Sequence, residues 1–390
     1  MPKPAVDQVI QEVRSFVSRP TPNPPGHEER LTEYLLERLD NSPVEFSVST
    51  QTIDSGRQNV VARVGDPSRG RLLLTGHIDT VPADADQWST DPYDLSLRDG
   101  RMIGRGVVDM KAACAAMLLA TEDYVESVET PGEVILGFVA DEECSGTGTQ
   151  TLVESGPKVD AAILGEPSNM DIAIMNKGSV RYTVRMDGKS VHSARPDNGV
   201  NVIDAIPGLV TRLNQLDETV RDPDHEYLPP GGSLSVTEIS SGIAANVIPD
   251  SAKITIDWRF VPEESHEPKW FDEEVEGTLD SVYKSVKGIS TTYERWNYKP
   301  AFAVDSNERV VSAVMSATSD AGHPANITGF EAGTDAGYLS GAGIPTVIFG
   351  PGRIDTQAHS VDESVPVQDV VSTVTIYRRC IERYFGDITS

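Results

Sequence analysis

Residues 72–82, LLLTGHIDTVP, carry the strongest structural signal in the 390-residue sequence. An apolar run that is typical of a buried strand ends in a polar segment with His77 and Asp79. Side chains alternate along a strand, so these two residues point to the same side at its end. A histidine binds a divalent metal well when a carboxylate holds its other ring nitrogen, and Asp79 is placed to do so. The alternative is an ordinary polar turn that contains both residues.

Similar apolar runs alternate with helical periodicity on both sides of this strand. Strands are predicted at 59–64, 71–76, 133–139 and 160–164, and helices at 5–19, 27–39, 110–124 and 147–154. The pattern returns near the C-terminal end, with helices at 307–318 and 367–384 and strands at 325–328 and 345–349. Apolar strands that alternate with helices predict an α/β domain whose sheet is covered on both faces.

The middle of the chain has a different order of elements. Strands are predicted at 179–186, 233–239, 245–248, 252–260 and 290–295, and helices at 200–216 and 267–286. The β-α-β-β-α-β order indicates a compact α+β unit inserted into the larger domain. The predicted domains are therefore 1–178 and 299–390 together, with 179–298 inserted, and the chain length also favours two domains.

The charge of the chain limits its partners. Asp and Glu total 60 against 33 Lys and Arg, which gives a formal net charge of -27. Such a field repels nucleic acids and anionic membranes, so neither is expected as a partner. The acidity is dispersed and only 10 of the basic residues are lysines. This favours a halophilic protein in a high-salt cytoplasm, where counterions screen the repulsion; the alternative is a merely acidic protein at ordinary salt.

The cysteine content and the hydropathy favour a cytoplasmic location. Cys114, Cys144 and Cys380 are few and odd in number, as expected in a reducing compartment without a disulfide framework. Their spacing does not suit a thiolate zinc site. We expect neither a signal peptide nor a membrane span, because no apolar run approaches the required length of about 18 residues.

A glycine-rich segment, GRGVVDMKAA at 104–113, places Asp109 and Lys111 where a loop enters a helix. A carboxylate at this position is a candidate metal ligand if other ligands lie nearby. The alternative is an aspartate that caps the helix.

Three adjacent acids follow the strand predicted at 133–139: Asp141, Glu142 and Glu143 in FVADEECSGTG. Adjacent carboxylates repel one another unless cations neutralise them. In a site they can divide their roles, one ligating a metal while its neighbour transfers protons. An exposed acidic turn is the alternative.

Two more candidates complete the set. Glu166 follows a strand in AAILGEPS, and His359 lies in the polar segment PGRIDTQAHSVDE. Sites in open α/β sheets form at the carboxyl ends of the strands. Several acids and two histidines that converge there predict a metal site rather than a salt-bridge network.

The order of these motifs, GHIDTVP, GRGVVDMK, DEE, GEP and AHSVDE, resembles the co-catalytic metallohydrolase superfamily. This superfamily includes acetylornithine deacetylase, succinyl-diaminopimelate desuccinylase, aminoacylase and the glutamate carboxypeptidases. The resemblance covers essentially the whole chain. It implies a catalytic domain with a central mixed sheet covered by helices, and an inserted ferredoxin-like domain that serves for dimerisation and as a lid.

The resemblance also implies the ligands of two divalent ions per subunit. It puts His77, Asp109 and Glu166 on one ion, and Asp109, Glu143 and His359 on the other. Asp109 would bridge the two ions. Histidine and carboxylate ligands suit Zn²⁺ and also accept Co²⁺ or Mn²⁺.

Catalysis is expected to depend on Glu142, with Asp79 in a supporting role. Two ions roughly 3.5–4 Å apart can share a water and lower its pKa. Glu142 would take the proton as general base and later return it, as an acid, to the leaving amine.

His192, in VHSARPDNGVNVI, is the candidate catalytic residue of the inserted domain. A structural histidine that caps a loop is the alternative. The resemblance implies that His192 reaches the active site of a partner subunit and stabilises the oxyanion, which also implies a homodimer built through the inserted domain.

Four residues are candidates for substrate binding. Asn246 offers an amide, and Arg259 suits a bidentate contact with a substrate carboxylate, although a surface ion pair is its ordinary role. Gly333 and Thr334, in FEAGTDAGYL, resemble the superfamily's loop against the substrate backbone.

These observations predict a metal-dependent hydrolase that cleaves the amide bond of a small N-acyl-amino acid. A dipeptidase or carboxypeptidase of the same superfamily is the alternative, because both groups share the metal ligands. A metal-binding protein without catalysis is a third reading, and the presence of Glu142 argues against it.

Overall fold

The computed structural model describes residues 5–54, 56–264, 266–283 and 286–386. The helices in chain order are α1 (Val6–Val17), α2 (Glu29–Asp40), α3 (Lys111–Ser127), α4 (Thr147–Ser155), α5 (Ile206–Val220), α6 (Pro268–Tyr283), α7 (Arg309–Asp320), α8 (Ala336–Gly341) and α9 (Val367–Phe385).

The strands begin with β1 (Ser47–Thr52), β2 (Gln58–Val64), β3 (Asp66–His77), β4 (Ser96–Arg98), β5 (Arg101–Ile103), β6 (Gly132–Val139), β7 (Ala161–Leu164), β8 (Ile172–Asn176) and β9 (Gly178–Asp187). They continue with β10 (Val191–His192), β11 (Ser233–Ser241), β12 (Val247–Ile248), β13 (Ser251–Phe260), β14 (Ser290–Lys299), β15 (Phe302–Ala303), β16 (Ile327–Phe330), β17 (Thr346–Ile348) and β18 (Ser364–Pro366).

The chain divides into two units. The first contains the chain up to Met175, Phe302–Phe330 and the chain from Thr334 onward. The second contains Asn176–Ala301 and the short segment Glu331–Gly333. The sequence did not indicate that a segment after β16 belongs with the second unit, because three residues carry no periodicity.

The main sheet of the first unit has the strand order β1-β2-β6-β3-β7-β17-β8-β15, and β16 pairs with β8. Its centre is parallel, since β3 pairs in parallel with β6 and β7, and β7 with β17. The pairs β1–β2, β2–β6 and β8–β17 are antiparallel. The predicted mixed sheet is confirmed.

The apolar run of β3 is buried on both faces, as expected for a central strand. Leu73 belongs to a cluster that includes Leu152 of α4 and Leu339 of α8. Leu72 and Leu74 alternate with it and are also buried, and on their side α3 and α9 pack against β3 and each other. Helices therefore cover both faces, and the strand ends are left as the place for polar residues.

The second unit contains an antiparallel sheet in the order β11-β13-β9-β14. Its apolar face packs against α5 and α6 in one cluster, to which β9 contributes Val180, Tyr182, Val184 and Met186. This order of elements and strands is the ferredoxin-like arrangement, so the predicted α+β unit is confirmed. The antiparallel ribbon β10–β12 is formed by two connecting segments of this unit, one between β9 and α5 and the other between β11 and β13.

Several predicted boundaries were wrong in detail. The helix predicted at 200–216 begins only at Ile206, after a short 3-10 turn at Val202–Ala205. The strand predicted at 245–248 is reduced to Val247–Ile248. The helix predicted at 267–286 corresponds to α6, and residues 284–285 lie outside the described residues. Within the described residues, no helix has the length and apolar character needed to cross a membrane.

A buried ion network joins the first three helices. Arg38 of α2 binds Glu122 of α3 through two hydrogen bonds of 2.7 and 2.8 Å, and Glu12 of α1 through one of 3.0 Å. Tyr34 and Ser42 donate to the same two glutamates. The side chains of Glu12 and Glu122 are only 9% and 6% exposed, so each depends on its cation.

Replacing Arg38 with Met should therefore destabilise the protein by about 3 kcal/mol, because two buried carboxylates lose their cation. Urea unfolding followed by circular dichroism measures this. The control is Arg383→Met, whose partner Asp320 is exposed and whose loss should cost less than about 1 kcal/mol. Equal effects of the two substitutions would contradict the role of the network.

Candidate metal centre

The candidate residues lie at the carboxyl ends of four neighbouring parallel strands. His77 is the last residue of β3, and residues 141–143 follow β6. Glu166 follows β7, and His359 lies in the loop after β17. Since β6, β3, β7 and β17 are adjacent in that order, the topology brings their ends to one edge of the sheet, where sites form in such folds.

Asp109 lies between the two histidines. Its Oδ1 is 2.9 Å from Nε2 of His77, and its Oδ2 is 3.2 Å from Nε2 of His359. Each oxygen of this carboxylate thus faces a different imidazole. Met110, and not Asp109, occupies the cap position of α3, so Asp109 does not serve as the helix cap.

Glu143 lies on the His359 side of this arrangement. Its two carboxylate oxygens are 3.2 and 3.1 Å from Nε2 of His359. The backbone N–H of Val81 donates to Glu143 Oε1 over 3.2 Å. The donor thus comes from the segment that follows His77 in the chain.

Among the described residues there are two groups of three side chains whose possible ligand atoms all lie within 4.8 Å of one another. One set comes from His77, Glu142 and Glu166, and the other from His77, Asp109 and Glu143. The first set includes Glu142, which the resemblance assigns to proton transfer and not to ligation. The oxygen and nitrogen donors fit a divalent ion such as Zn²⁺.

The electrostatics favour cations. Asp109, Glu142 and Glu166 are 6%, 6% and 3% exposed. Burial alone would raise the pKa of Asp109, but hydrogen bonds from His359 and His77 hold it well below its usual range. Burial raises the pKa of Glu143 to about 7. A buried group of acids is costly unless positive charge balances it.

The histidines respond to the same charges. Burial alone would lower the pKa of His77, but the hydrogen bond and charge of Asp109 raise it well above its usual value. Hydrogen bonds to Asp109 and Glu143 raise the pKa of His359 to about 11. Both imidazoles therefore experience a field that attracts positive charge.

Asp79 supports the site in a different way from the one predicted. The carbonyl oxygen of Asp79 lies 2.9 Å from Nδ1 of His77, whereas its carboxylate is 3.7 Å away. The backbone carbonyl therefore orients the imidazole. The buried carboxylate instead accepts the N–H groups of Glu142 and Glu143, both at 3.1 Å, and the amide of Asn23 at 2.8 Å. It holds the acidic turn in place.

Asp141 forms the start of that turn. Its φ of 69° is unusual for a residue with a side chain, and its partners hold it there. Arg57 and Asn23 donate to Oδ1 over 2.9 and 3.0 Å, and Ser145 donates to Oδ2. Burial alone would raise the pKa of Asp141, but these hydrogen bonds and the charge of Arg57 lower it.

Glu363 holds the loop that carries Asp109. Its Oε1 accepts the N–H groups of Val108 and Asp109 at 2.7 and 3.2 Å. Its Oε2 accepts the N–H of Gly106 at 3.1 Å and the guanidinium of Arg105 at 2.6 Å. Glu363 is 1% exposed, and burial raises its pKa against the charge of Arg105.

Sequence reasoning missed Asn23 and Glu363 as supporting residues. Asn23 lies between prolines in PTPNPPG, the segment between the helices predicted at 5–19 and 27–39. Glu363 belongs to the motif AHSVDE, but a single sequence does not show from which backbone N–H groups a glutamate accepts hydrogen bonds. Their role depends on contacts between residues far apart in the sequence. Asn23 and Asp79 are 56 residues apart, and Glu363 is 254–258 residues from its partners.

The second unit carries His192 and Asn246 on neighbouring segments. His192 pairs with Val247 in the β10–β12 ribbon, and the N–H of Ser193 donates to the carbonyl of Asn246 over 2.9 Å. Both side chains are exposed. The N–H of Ala194 donates to Nδ1 of His192, so the neutral ring carries its hydrogen on Nε2.

The other predicted substrate residues have structural partners. Arg259 donates to Asp257 over 2.6 and 3.1 Å. Thr334 is 1% exposed, and its hydroxyl accepts the N–H of Ala336 at the start of α8. Gly333 belongs to the second unit. The roles of these residues in substrate binding stay predictions.

Residues 73–383 match the model of Peptidase family M20/M25/M40. The fold and the site thus define a class already indicated by the motifs, and the chain belongs to this family. It is a hydrolase that acts on amide bonds.

Two types of enzyme are named among the relatives of the chain. The chain is similar to an acetylornithine deacetylase from Myxococcus xanthus, 33% identical over 91% of this chain and 92% of the relative. It is also similar to a succinyl-diaminopimelate desuccinylase from Caulobacter sp. (strain K31), with 30% identity over 99% of this chain and 98% of the relative.

Solved structures share the fold. An M20 family metallo-carboxypeptidase from Sulfolobus solfataricus has a TM-score of 0.80 at 18% identity, over 97% of this chain and 99% of that one. A dinuclear metal-binding peptidase of the M20 family from Bacillus subtilis has a TM-score of 0.69 at 16% identity, over 96% and 97%.

Replacing Glu363 with Gln should weaken Zn²⁺ binding by about 10–100-fold, because an amide cannot accept all four donors that fix the Asp109 loop. Competition with a chromophoric chelator measures the affinity, and circular dichroism verifies the fold. The control is Asp355→Asn, which lies between β17 and β18 as Glu363 does and whose exposed carboxylate pairs with Arg353. An unchanged affinity in a folded Glu363→Gln protein would contradict this positioning role.

Proposed function

We propose that the protein hydrolyses the amide bond of a small N-acyl-amino acid, in the manner of acetylornithine deacetylase or succinyl-diaminopimelate desuccinylase. The observation that supports this most is Asp109, whose two oxygens face His77 and His359 at the edge of the parallel strands. The relatives at 30–33% identity are named for this chemistry.

We assign two divalent ions to the site, most suitably Zn²⁺. His77, Asp109 and Glu166 would hold one ion, and Asp109, Glu143 and His359 the other. Such ions supply Lewis acidity and a water of lowered pKa. The described donors are nitrogen and oxygen atoms, which also suit Co²⁺ or Mn²⁺.

Glu142 is the proposed base. It follows Asp141 in a turn whose two N–H groups are bound by Asp79, so its backbone is fixed. One of its oxygens lies within 4.8 Å of ligand atoms of His77 and Glu166. From this position Glu142 removes a proton from the attacking water and returns it to the leaving amine.

We assign the oxyanion donor to His192 of a partner subunit, in a homodimer formed through the second unit. The hydrogen on Nε2 faces away from the backbone contact at Nδ1 and suits donation to an anionic oxygen. Asn246 lies beside it and offers an amide to the substrate. Arg259 would bind a substrate carboxylate in competition with Asp257.

A dipeptidase or carboxypeptidase is the second candidate. Solved structures with this fold include dipeptidases, and the ligand set suits both reactions. Sequence similarity over nearly the whole chain favours the deacylases.

The first test is amine release from a panel of N-acetyl- and N-succinyl-amino acids and dipeptides, in high salt with Zn²⁺ or Co²⁺. We expect turnover of an acylated amino acid, and a fall in kcat of about 10²–10⁴-fold in Glu142→Ala because proton transfer is lost. Metal content is measured in parallel to separate catalysis from ligation.

The control is Glu154→Ala on the exposed side of α4, which should retain full activity. Turnover of dipeptides alone would establish the peptidase candidate. Turnover of no substrate by the metal-loaded wild type would overturn both.

A second test addresses His192. His192→Ala should reduce kcat by about 10²–10³-fold, the usual effect of losing an oxyanion donor. If His192 acts across the dimer, reassembling His192→Ala with Glu142→Ala subunits should restore about a quarter of wild-type activity, since half the dimers are hybrids with one complete site. The absence of restoration in verified hybrid dimers would show that His192 does not act in the partner's site.

A further inference from the structure

Two cations face each other on the outer face of the second unit's sheet. Arg185 of β9 is directly opposite Lys253 of β13 in the strand register. Both side chains are exposed. Hydroxyl residues flank the pair in the same row, with Ser240 opposite Lys253 and Thr292 opposite Arg185.

This pair is unusual for an acidic chain. Like charges directly opposite in a sheet repel each other and cost stability. The chain has 60 acids for 33 bases, yet within the described residues neither cation has an ion pair or side-chain hydrogen bond. By contrast, Arg181 on the same face binds Asp257 over 2.6 Å and lies over the ring of Trp296.

The pair lines an open depression of about 650 Å³. Thr183 and Thr255, opposite each other in the next row, form its floor and are only 7% and 8% exposed. The hydroxyl of Thr255 is fixed by donation to Glu238 over 3.0 Å. The depression therefore combines these two cations, the ion pair of Arg181 with Asp257, hydroxyl groups and space for a small molecule.

The acids around the depression limit the size of the charge it accepts. Glu238 and Glu294 lie at the two ends of the threonine row and both line the depression. A polyanion would meet these carboxylates as well as the cations. A single compact anionic group between Arg185 and Lys253 would lie one row away from Glu238 and Glu294.

We propose that Arg185 and Lys253 form a binding site for a small ligand that carries a single oxyanion group, a carboxylate or a phosphate. The planar guanidinium supplies two parallel N–H donors and the ammonium supplies a compact charge. A bound oxyanion converts the repulsion between the two cations into attraction for both. Binding of this ligand does not depend on the amide hydrolysis proposed above.

Residue-specific protection tests the site. Arginines of the metal-loaded wild type are modified with phenylglyoxal at low ionic strength, and each rate is followed by peptide mass spectrometry. Acetate or inorganic phosphate should slow modification of Arg185 by about threefold or more, the effect of two-thirds occupancy. Arg212, exposed on α5, is the internal reference and should be unaffected.

Chloride at equal ionic strength separates binding from screening. Protection by acetate alone identifies a carboxylate ligand, and protection by phosphate alone identifies a phosphate ligand. An equal effect at Arg212, an equal effect of chloride, or no protection by either anion overturns the proposal.

The paired geometry is tested with Lys253→Gln, which should abolish protection of Arg185. The control is Lys189→Gln, an exposed lysine of the same unit, which should leave the protection unchanged. Full protection in Lys253→Gln would show that the two cations do not act together.

Discussion

Repulsion among carboxylates gathered at one edge of a sheet is the constraint on which this structure depends. Parallel strands bring their carboxyl ends together, and the loops that follow carry Glu142, Glu143 and Glu166, while the loop between β5 and α3 adds Asp109. Water cannot screen acids that are this buried, so their charge has to be balanced locally. The two imidazoles lie where that balance is needed, and the same field makes the site a candidate for metal ions.

Two further buried carboxylates serve the site without joining the ligand set. Asp79 accepts hydrogen bonds from the N–H groups of the acidic turn, and Glu363 accepts them from the loop that carries Asp109. A charged acceptor binds backbone donors more strongly than a neutral one. The turn that carries Glu142 and Glu143 and the loop that carries Asp109 are therefore held in place through their backbones.

The sequence predicted the α/β fold and the inserted unit because both depend on local periodicity, and the family match confirms the family that the motifs resemble. Strand β1 was missed because its exposed Ser and Thr residues carry little hydrophobic signal, and β4, β5 and β18 because each has three residues. The orientation of His77 by a backbone carbonyl was also missed, since an atom-level contact depends on the turn. The support from Asn23 depends on folding and not on spacing.

The register of the second unit has a consequence for how the chain connects to it. Its first and last strands are paired so that Ser179 is opposite Lys299, close to where the chain enters and leaves the unit. Residues opposite in an antiparallel pair have Cα atoms about 5 Å apart, so a short turn can bridge the same gap. The Asn176–Ala301 part of the unit therefore begins and ends at adjacent positions of one strand pair, so both of its connections leave from the same end of the sheet.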